Sequence, residues 1–111
     1  SLQRQTELLV CALNDVDKLI KDTHTLTNAY LAQNIDAVYN LMQDRKGDNC
    51  DPLPGEIEAI LDNRNIHWAE VFPEKIKAGS AFIVVGAAHL PGEKGVINLL
   101  REQGYSVDPV N

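Results

Sequence analysis

The chain has 111 residues, 44% of them hydrophobic, and its 10 basic and 16 acidic side chains give a formal net charge of −6. This length and composition suit one small domain with a hydrophobic core, and no apolar run approaches the length that spans a bilayer. No basic cluster stands out, so nucleic acids and anionic membranes are poor candidates for partners.

The N-terminal stretch has apolar residues at helical spacing, which predicts a long amphipathic helix over residues 3–21. The polar run 22–25 predicts that this helix ends there and that a second one begins. A turn at residues 33–34 and a further helix from Ile35 to Met42 follow. Together these segments predict a helical hairpin over residues 3–44.

The two cysteines, Cys11 and Cys50, are too far apart in the sequence for a zinc knuckle, and no Cys or His pair has metal-ligand spacing. They are compatible with two free thiols or with one disulfide. Because the sequence leaves both alternatives open, it does not identify the redox compartment.

Residues 45–55 contain two glycines, two prolines and two aspartates, and they form the clearest loop in the chain. Residues 56–79 are predicted to be helical, with a polar interruption at residues 62–65. Pro73 is expected to kink or restart this helix, since proline removes a backbone donor and clashes one turn back. Gly79 is well placed to end it.

The last part of the chain, residues 80–111, predicts a parallel strand–helix–strand unit. The most concentrated β-branched run in the sequence is Ile83, Val84 and Val85, and together with Ala81 and Phe82 it is typical of a strand buried on both faces. A helix with an apolar face at residues 96–100 follows, and residues 105–110 are predicted as a short closing strand. The predicted fold class is therefore α/β but mostly helical, as the incomplete half of a larger α/β domain.

The first candidate site is Gly86-x-x-His89, with Glu93 one turn further on. These residues directly follow the predicted central strand, where open α/β sheets usually place their ligands. Histidine and glutamate are also metal-ligand and acid–base types. The structural alternative is that His89 caps the next helix or bonds a loop, while Glu93 complements the helix dipole.

The second candidate site is the pair Arg64 and Asn65, two polar residues inside an otherwise apolar helical pattern. An arginine in this setting could bind a carboxylate or phosphate in bidentate fashion, or form a structural salt bridge. The neighbouring Trp68 is most simply a core residue, and His67 is expected to be exposed.

Taken together, these segments resemble the C-terminal part of the TraB/GumN superfamily, which includes PrgY and the Tiki proteases. The residues that carry the resemblance are Asn63-Arg64-Asn65-x-x-Trp68-Ala69, Gly79, Phe82-x-Val84-Val85-Gly86-Ala87-Ala88-His89-Leu90-x-Gly92-x-x-Gly95-Val96, and Leu99-Leu100-x-x-x-Gly104-Tyr105-x-Val107. Further upstream, Tyr30-x-x-Gln33-Asn34-Ile35-x-x-Val38-x-x-Leu41 is similar to the family's helical insert.

This resemblance implies a metal-dependent, peptidase-like hydrolase built on two GxxH motifs with acidic and arginine residues. Residues 86–89 match the second GxxH motif, and Arg64 and Asn65 match the polar motif before it. The predicted catalytic residues are therefore His89, Arg64 and Asn65, with Gly86 and Glu93 at the ligand and His89 as a metal ligand. The implied cofactor is a divalent metal ion, either manganese, cobalt or zinc.

The first GxxH motif does not occur in the chain, so the resemblance implies a C-terminal fragment that is inactive without its N-terminal half. An unpaired strand edge at residues 82–85, or the apolar stripes along the predicted helices, would favour a homo-oligomer. The alternative is a non-catalytic protein of the same superfamily that binds haem, iron or a peptide, or that regulates signalling. Since the superfamily has exported members, the resemblance favours the cell envelope.

Overall fold

A computed structural model describes residues 1–47 and 49–110, and the regular secondary structure within these ranges is helical. The α-helices are α1 (Leu2–Asn14), α2 (Val16–Leu31), α3 (Ile35–Gln43), α4 (Asn63–Lys77) and α5 (Val96–Glu102). A π turn (Glu58–Asp62) runs directly into α4, and a 3₁₀ turn (Ala87–His89) precedes α5. Over the described ranges, none of these helices combines the length and hydrophobicity needed to cross a membrane. The chain divides into two compact units, Ser1–Pro52 and Leu53–Asn111.

The three helices of the first unit each begin at a polar side chain that caps them. Ser1, Asp15 and Asn34 accept hydrogen bonds from the backbone N–H groups three residues further on. The cap at Asp15 separates α1 from α2, where a single helix over residues 3–21 was predicted. The predicted break at residues 22–25 is wrong, because α2 continues through it to Leu31.

The end of α2 confirms the predicted turn at residues 33–34. Gln33 adopts a positive φ of 57°. The N–H of Gln33 donates to the Tyr30 carbonyl and that of Asn34 donates to the Ala29 carbonyl, at 2.9 and 3.0 Å. This pair of bonds satisfies two carbonyls of the last helical turn, as in a Schellman motif.

A disulfide between Cys11 and Cys50 joins α1 to the loop after α3, with a Cα–Cα distance of 5.7 Å. Of the two alternatives that the sequence left open, the structure therefore has the disulfide. Arg4 reinforces the same connection, because its guanidinium donates to the backbone carbonyls of Asn49 and Asp51 at 3.0 and 2.7 Å. The first turns of α1 are thus tied to the loop that ends the first unit.

In the second unit, α4 packs against both the π turn and α5. The buried apolar side chains at these contacts are Leu61 of the π turn, Ala69 of α4 and Val96 of α5. Neither the polar run 62–65 nor Pro73 interrupts the helical backbone, so the break and restart predicted there are wrong. Gly79 follows the last turn of α4 with a positive φ of 148°, which confirms its predicted place at the helix end.

The predicted strand–helix–strand unit over residues 80–111 is wrong. Helix α5 is present, but residues 81–86 and 105–110 have no regular secondary structure, and no strand occurs anywhere in residues 1–47 or 49–110. The run that predicted a buried strand is instead open to solvent, with Phe82 95% and Val84 78% exposed. A strand forms only where a second strand bonds its backbone, and the described residues supply none. The α/β fold class is therefore replaced by a helical one.

Candidate functional site

The 3₁₀ turn gives the Gly-x-x-His spacing a structural meaning. The backbone N–H of His89 donates to the Gly86 carbonyl at 2.9 Å, which closes the turn and turns the imidazole toward α4. A Cβ atom placed on Gly86 would lie 3.6 Å from His89 Cδ2, an ordinary contact. Steric crowding therefore does not require glycine at position 86 in this structure.

The central contact of the site is a short hydrogen bond between His89 and Asn65. Asn65 is 2% exposed, and its Oδ1 lies 2.7 Å from His89 Nδ1. On the other side of the amide, Asn65 Nδ2 donates to the Lys94 carbonyl at 2.9 Å. A carbonyl can only accept, so the amide nitrogen must face Lys94 and the amide oxygen must face the imidazole. His89 Nδ1 therefore carries the proton.

In neutral His89 this arrangement leaves Nε2 unprotonated, with its lone pair available. His89 is 9% exposed and makes no second side-chain hydrogen bond to any described residue. Among the same residues, every buried side-chain nitrogen or oxygen has a hydrogen-bond partner. Nε2 must therefore reach the molecular surface, where it can accept a proton or bind a ligand.

Trp68 forms the wall of the site and contacts two of its charged or titratable groups. The His89 ring lies 4.8 Å from the Trp68 ring, centroid to centroid, at an angle of 51°. The Arg64 guanidinium carbon lies over the Trp68 ring, 4.9 Å from its centroid, in a cation–π contact. Burial, followed by the positive charge of Arg64, lowers the pKa of His89 below its usual 6.5. His89 is thus favoured in its neutral form.

A tight loop between the 3₁₀ turn and α5 supplies the carbonyl that holds Asn65. At Gly95 a Cβ atom would collide with the backbone carbonyl oxygens of Leu90 and Pro91. Only glycine allows this close approach, which folds the loop back and places the Lys94 carbonyl against α4. The Lys94 ammonium also forms an ion pair with Asp62 at 3.4 Å, so the same residue is attached to the π turn.

The model of the TraB/PrgY/gumN family matches residues 1–109, which span both units. The chain belongs to this family. The match confirms the resemblance that the sequence motifs indicated. No curated protein and no solved structure matches this TraB-family chain.

The structure brings four of the five predicted site residues together, with Gly86 in the turn that carries His89, and leaves Glu93 apart. Arg64, Asn65 and His89 of this TraB-family chain meet around Trp68. Glu93 is exposed, and its backbone carbonyl accepts a hydrogen bond from the Asn98 side chain at 2.8 Å. The Glu93 carboxylate forms no hydrogen bond or ion pair with any described residue.

Sequence reasoning missed two participants, Trp68 and Lys94. Trp68 was interpreted as a plain core residue, although its position three residues after Asn65 and four after Arg64 places all three on one helix face. That spacing was the signal in the sequence that could have assigned Trp68 to the site. Lys94 contributes its backbone carbonyl, and no side-chain pattern identifies a backbone group. Its role follows only from the close approach at Gly95.

The described residues do not form a metal site by themselves. Residues 1–47 and 49–110 contain no group of three or more histidine, cysteine or acidic side chains that could hold a metal ion. Metal sites in proteins usually have at least three protein ligands. His89 has the unprotonated nitrogen that a metal ligand needs, but it would provide one ligand only.

Proposed function

We propose that this TraB-family chain supplies the catalytic histidine of a peptidase-like hydrolase. One observation supports the proposal above all others: a buried amide holds His89 through Nδ1 and leaves Nε2 unprotonated at the surface. Every neutral imidazole has one protonated and one unprotonated nitrogen, but a purely structural role does not require the arrangement found here, with the protonated nitrogen held inside and the unprotonated one at the surface. Catalytic histidines commonly show it, with a second residue fixing the tautomer.

Neutral His89 can act as a general base on a water molecule. In this role Nε2 accepts the proton of the attacking water, while the Nδ1–H bond to Asn65 keeps the ring in place. A lowered pKa favours the role, because the imidazole must be unprotonated before it can accept a proton. Asn65 is a positioning residue in this scheme, since it acts through His89.

The metal that the family implies, manganese, cobalt or zinc, does not fit the described residues alone. We therefore propose that the hydrolytic centre is completed by protein outside these 111 residues, and that this chain alone is inactive and binds divalent ions weakly. Calorimetric titration with each ion tests this part. Tight one-to-one binding that His89→Ala abolishes would overturn it.

The test of the function uses the longer protein expected to contain this chain. It is incubated with a mixture of synthetic peptides and each of the three ions, and cleavage is followed by mass spectrometry. We expect His89→Ala to reduce kcat by at least about a hundredfold, as is typical for loss of a general base. His67→Ala is the matched control, since this exposed histidine lies on the same unit.

The variant Asn65→Ala tests whether Asn65 positions the His89 ring for catalysis or only stabilises the fold. We expect it to lower kcat while KM changes little, and to alter the pH profile, because Nδ1 then loses the acceptor that fixes the tautomer. Turnover that survives His89→Ala in a folded protein would refute the proposed role. Absence of cleavage under all conditions would refute the hydrolase and favour a non-catalytic ligand-binding protein.

A further inference from the structure

Arg64 is held beside His89 without an acidic partner. Its guanidinium lies over Trp68, and it forms no ion pair or hydrogen bond with any described residue. The aromatic contact restricts the side chain, so less conformational entropy is lost when the guanidinium binds a ligand. The nearby acidic residue Asp62 pairs with Lys94 instead, at 3.4 Å.

The backbone around Arg64 is not an alternative anion site. α4 continues directly from the π turn, and the N–H of Asn63 donates to the Glu58 carbonyl. The start of α4 therefore lacks the unpaired N–H groups that usually bind anions at a helix N-terminus. Any anion recognised here would have to bind the Arg64 side chain.

From these contacts we infer that the site recognises a peptide through its free C-terminal carboxylate, which Arg64 binds in bidentate fashion. A planar guanidinium matches a carboxylate with two parallel N–H···O bonds. The peptide bond nearest the C-terminus lies within one residue of that carboxylate, about 4 Å along the chain. Because Trp68 contacts both Arg64 and His89, a peptide held by Arg64 would bring this bond into the neighbourhood of Nε2.

The inference rests on the proposed function for its substrate class, but its test measures binding and not turnover. The probes are N-acetyl-alanyl-alanine and the same dipeptide with a C-terminal amide, which differ only in the charged group. They are titrated into the 111-residue chain, and the indole N–H of Trp68, the only tryptophan, is followed by NMR. We expect saturable shifts with the acid, and affinity for the amide weaker by at least about tenfold.

Two substitutions remove one positive charge each from α4. We expect Arg64→Gln to abolish the preference for the acid, and Lys75→Ala to retain it. Unchanged far-ultraviolet circular dichroism shows that both variants are folded. Arg64→Lys should restore only part of the preference, because a lysine cannot form the bidentate contact. A preference that survives Arg64→Gln, or that Lys75→Ala also removes, would overturn the inference.

Inorganic phosphate tests whether the site is specific for a carboxylate. Phosphate that binds at Trp68 as tightly as the acid peptide would overturn the assignment to a peptide C-terminus. Failure of the proposed function is distinguishable from failure of this inference. Acid-selective binding in a protein that never cleaves peptides would refute only the hydrolase, and equal binding of the acid and the amide would refute only the role of Arg64.

Discussion

The disulfide between Cys11 and Cys50 should account for most of the stability of the first unit. The two cysteines are 39 positions apart in the chain. For a closed loop of this length, the loss of entropy in the unfolded chain corresponds to about 4 kcal/mol at 25 °C. A unit of the size of Ser1–Pro52 is expected to have only about 3–8 kcal/mol of total stability. Reduction should therefore remove half of it or more.

Urea denaturation followed by far-ultraviolet circular dichroism measures this effect, with and without a reductant. We expect a clearly lower midpoint for the reduced protein, and the same low midpoint for the double variant Cys11→Ser, Cys50→Ser in either condition. The serine variant is the control, because a reductant cannot affect it through this bond. Equal midpoints for the oxidised and reduced wild type, with the thiols shown to be titratable, would refute the loop-entropy reasoning.

Three further predictions concern the second unit. The pKa of His89 is lowered in the folded state, so the unfolded state binds the proton first as the pH falls. The free energy of unfolding should therefore decrease as the pH drops below 6.5. Urea midpoints that are constant between pH 7.5 and 5 would contradict this. Gly95→Ala should destabilise the unit by about 3 kcal/mol, whereas Gly86→Ala, whose Cβ has room, should cost far less in thermal denaturation. Phe82→Lys should reduce self-association through the exposed run 82–85, and light scattering that shows the wild type to be monomeric at high concentration would exclude that contact.

The helices of this chain could be predicted largely from its sequence, but the absence of strands from residues 1–47 and 49–110 could not. Apolar periodicity and the Gln33–Asn34 turn identified α3 and the end of α2. The position of the first break was missed, because Asp15 and the polar run 22–25 are both good capping candidates, and only tertiary structure decides between them. The hydrophobic run 82–85 predicted a strand from composition alone. Strand formation depends on a neighbour that composition does not reveal.

The site could be predicted as a set of residues but not as an arrangement. Arg64, Asn65 and His89 were candidates because of their residue types and the family motifs. The bond between Asn65 and His89 joins positions 24 apart, and it depends on the loop that Gly95 allows. No local pattern contains this information. The catalytic roles of these residues stay predictions, while their proximity is a property of the fold.

The π turn before α4 gives this part of the chain one residue more than an α-helical turn would hold. Its wide turn closes through the bond from the Asn63 N–H to the Glu58 carbonyl, one residue more than in an α-helix. Deleting a single residue between positions 58 and 62 would convert it to an ordinary α-helical turn, and because the π turn holds one residue more, the segments on either side would keep nearly the same orientation. Within α4, by contrast, a one-residue deletion would rotate the residues before it by about 100° relative to those after it, so it should be far more damaging than a deletion in the π turn.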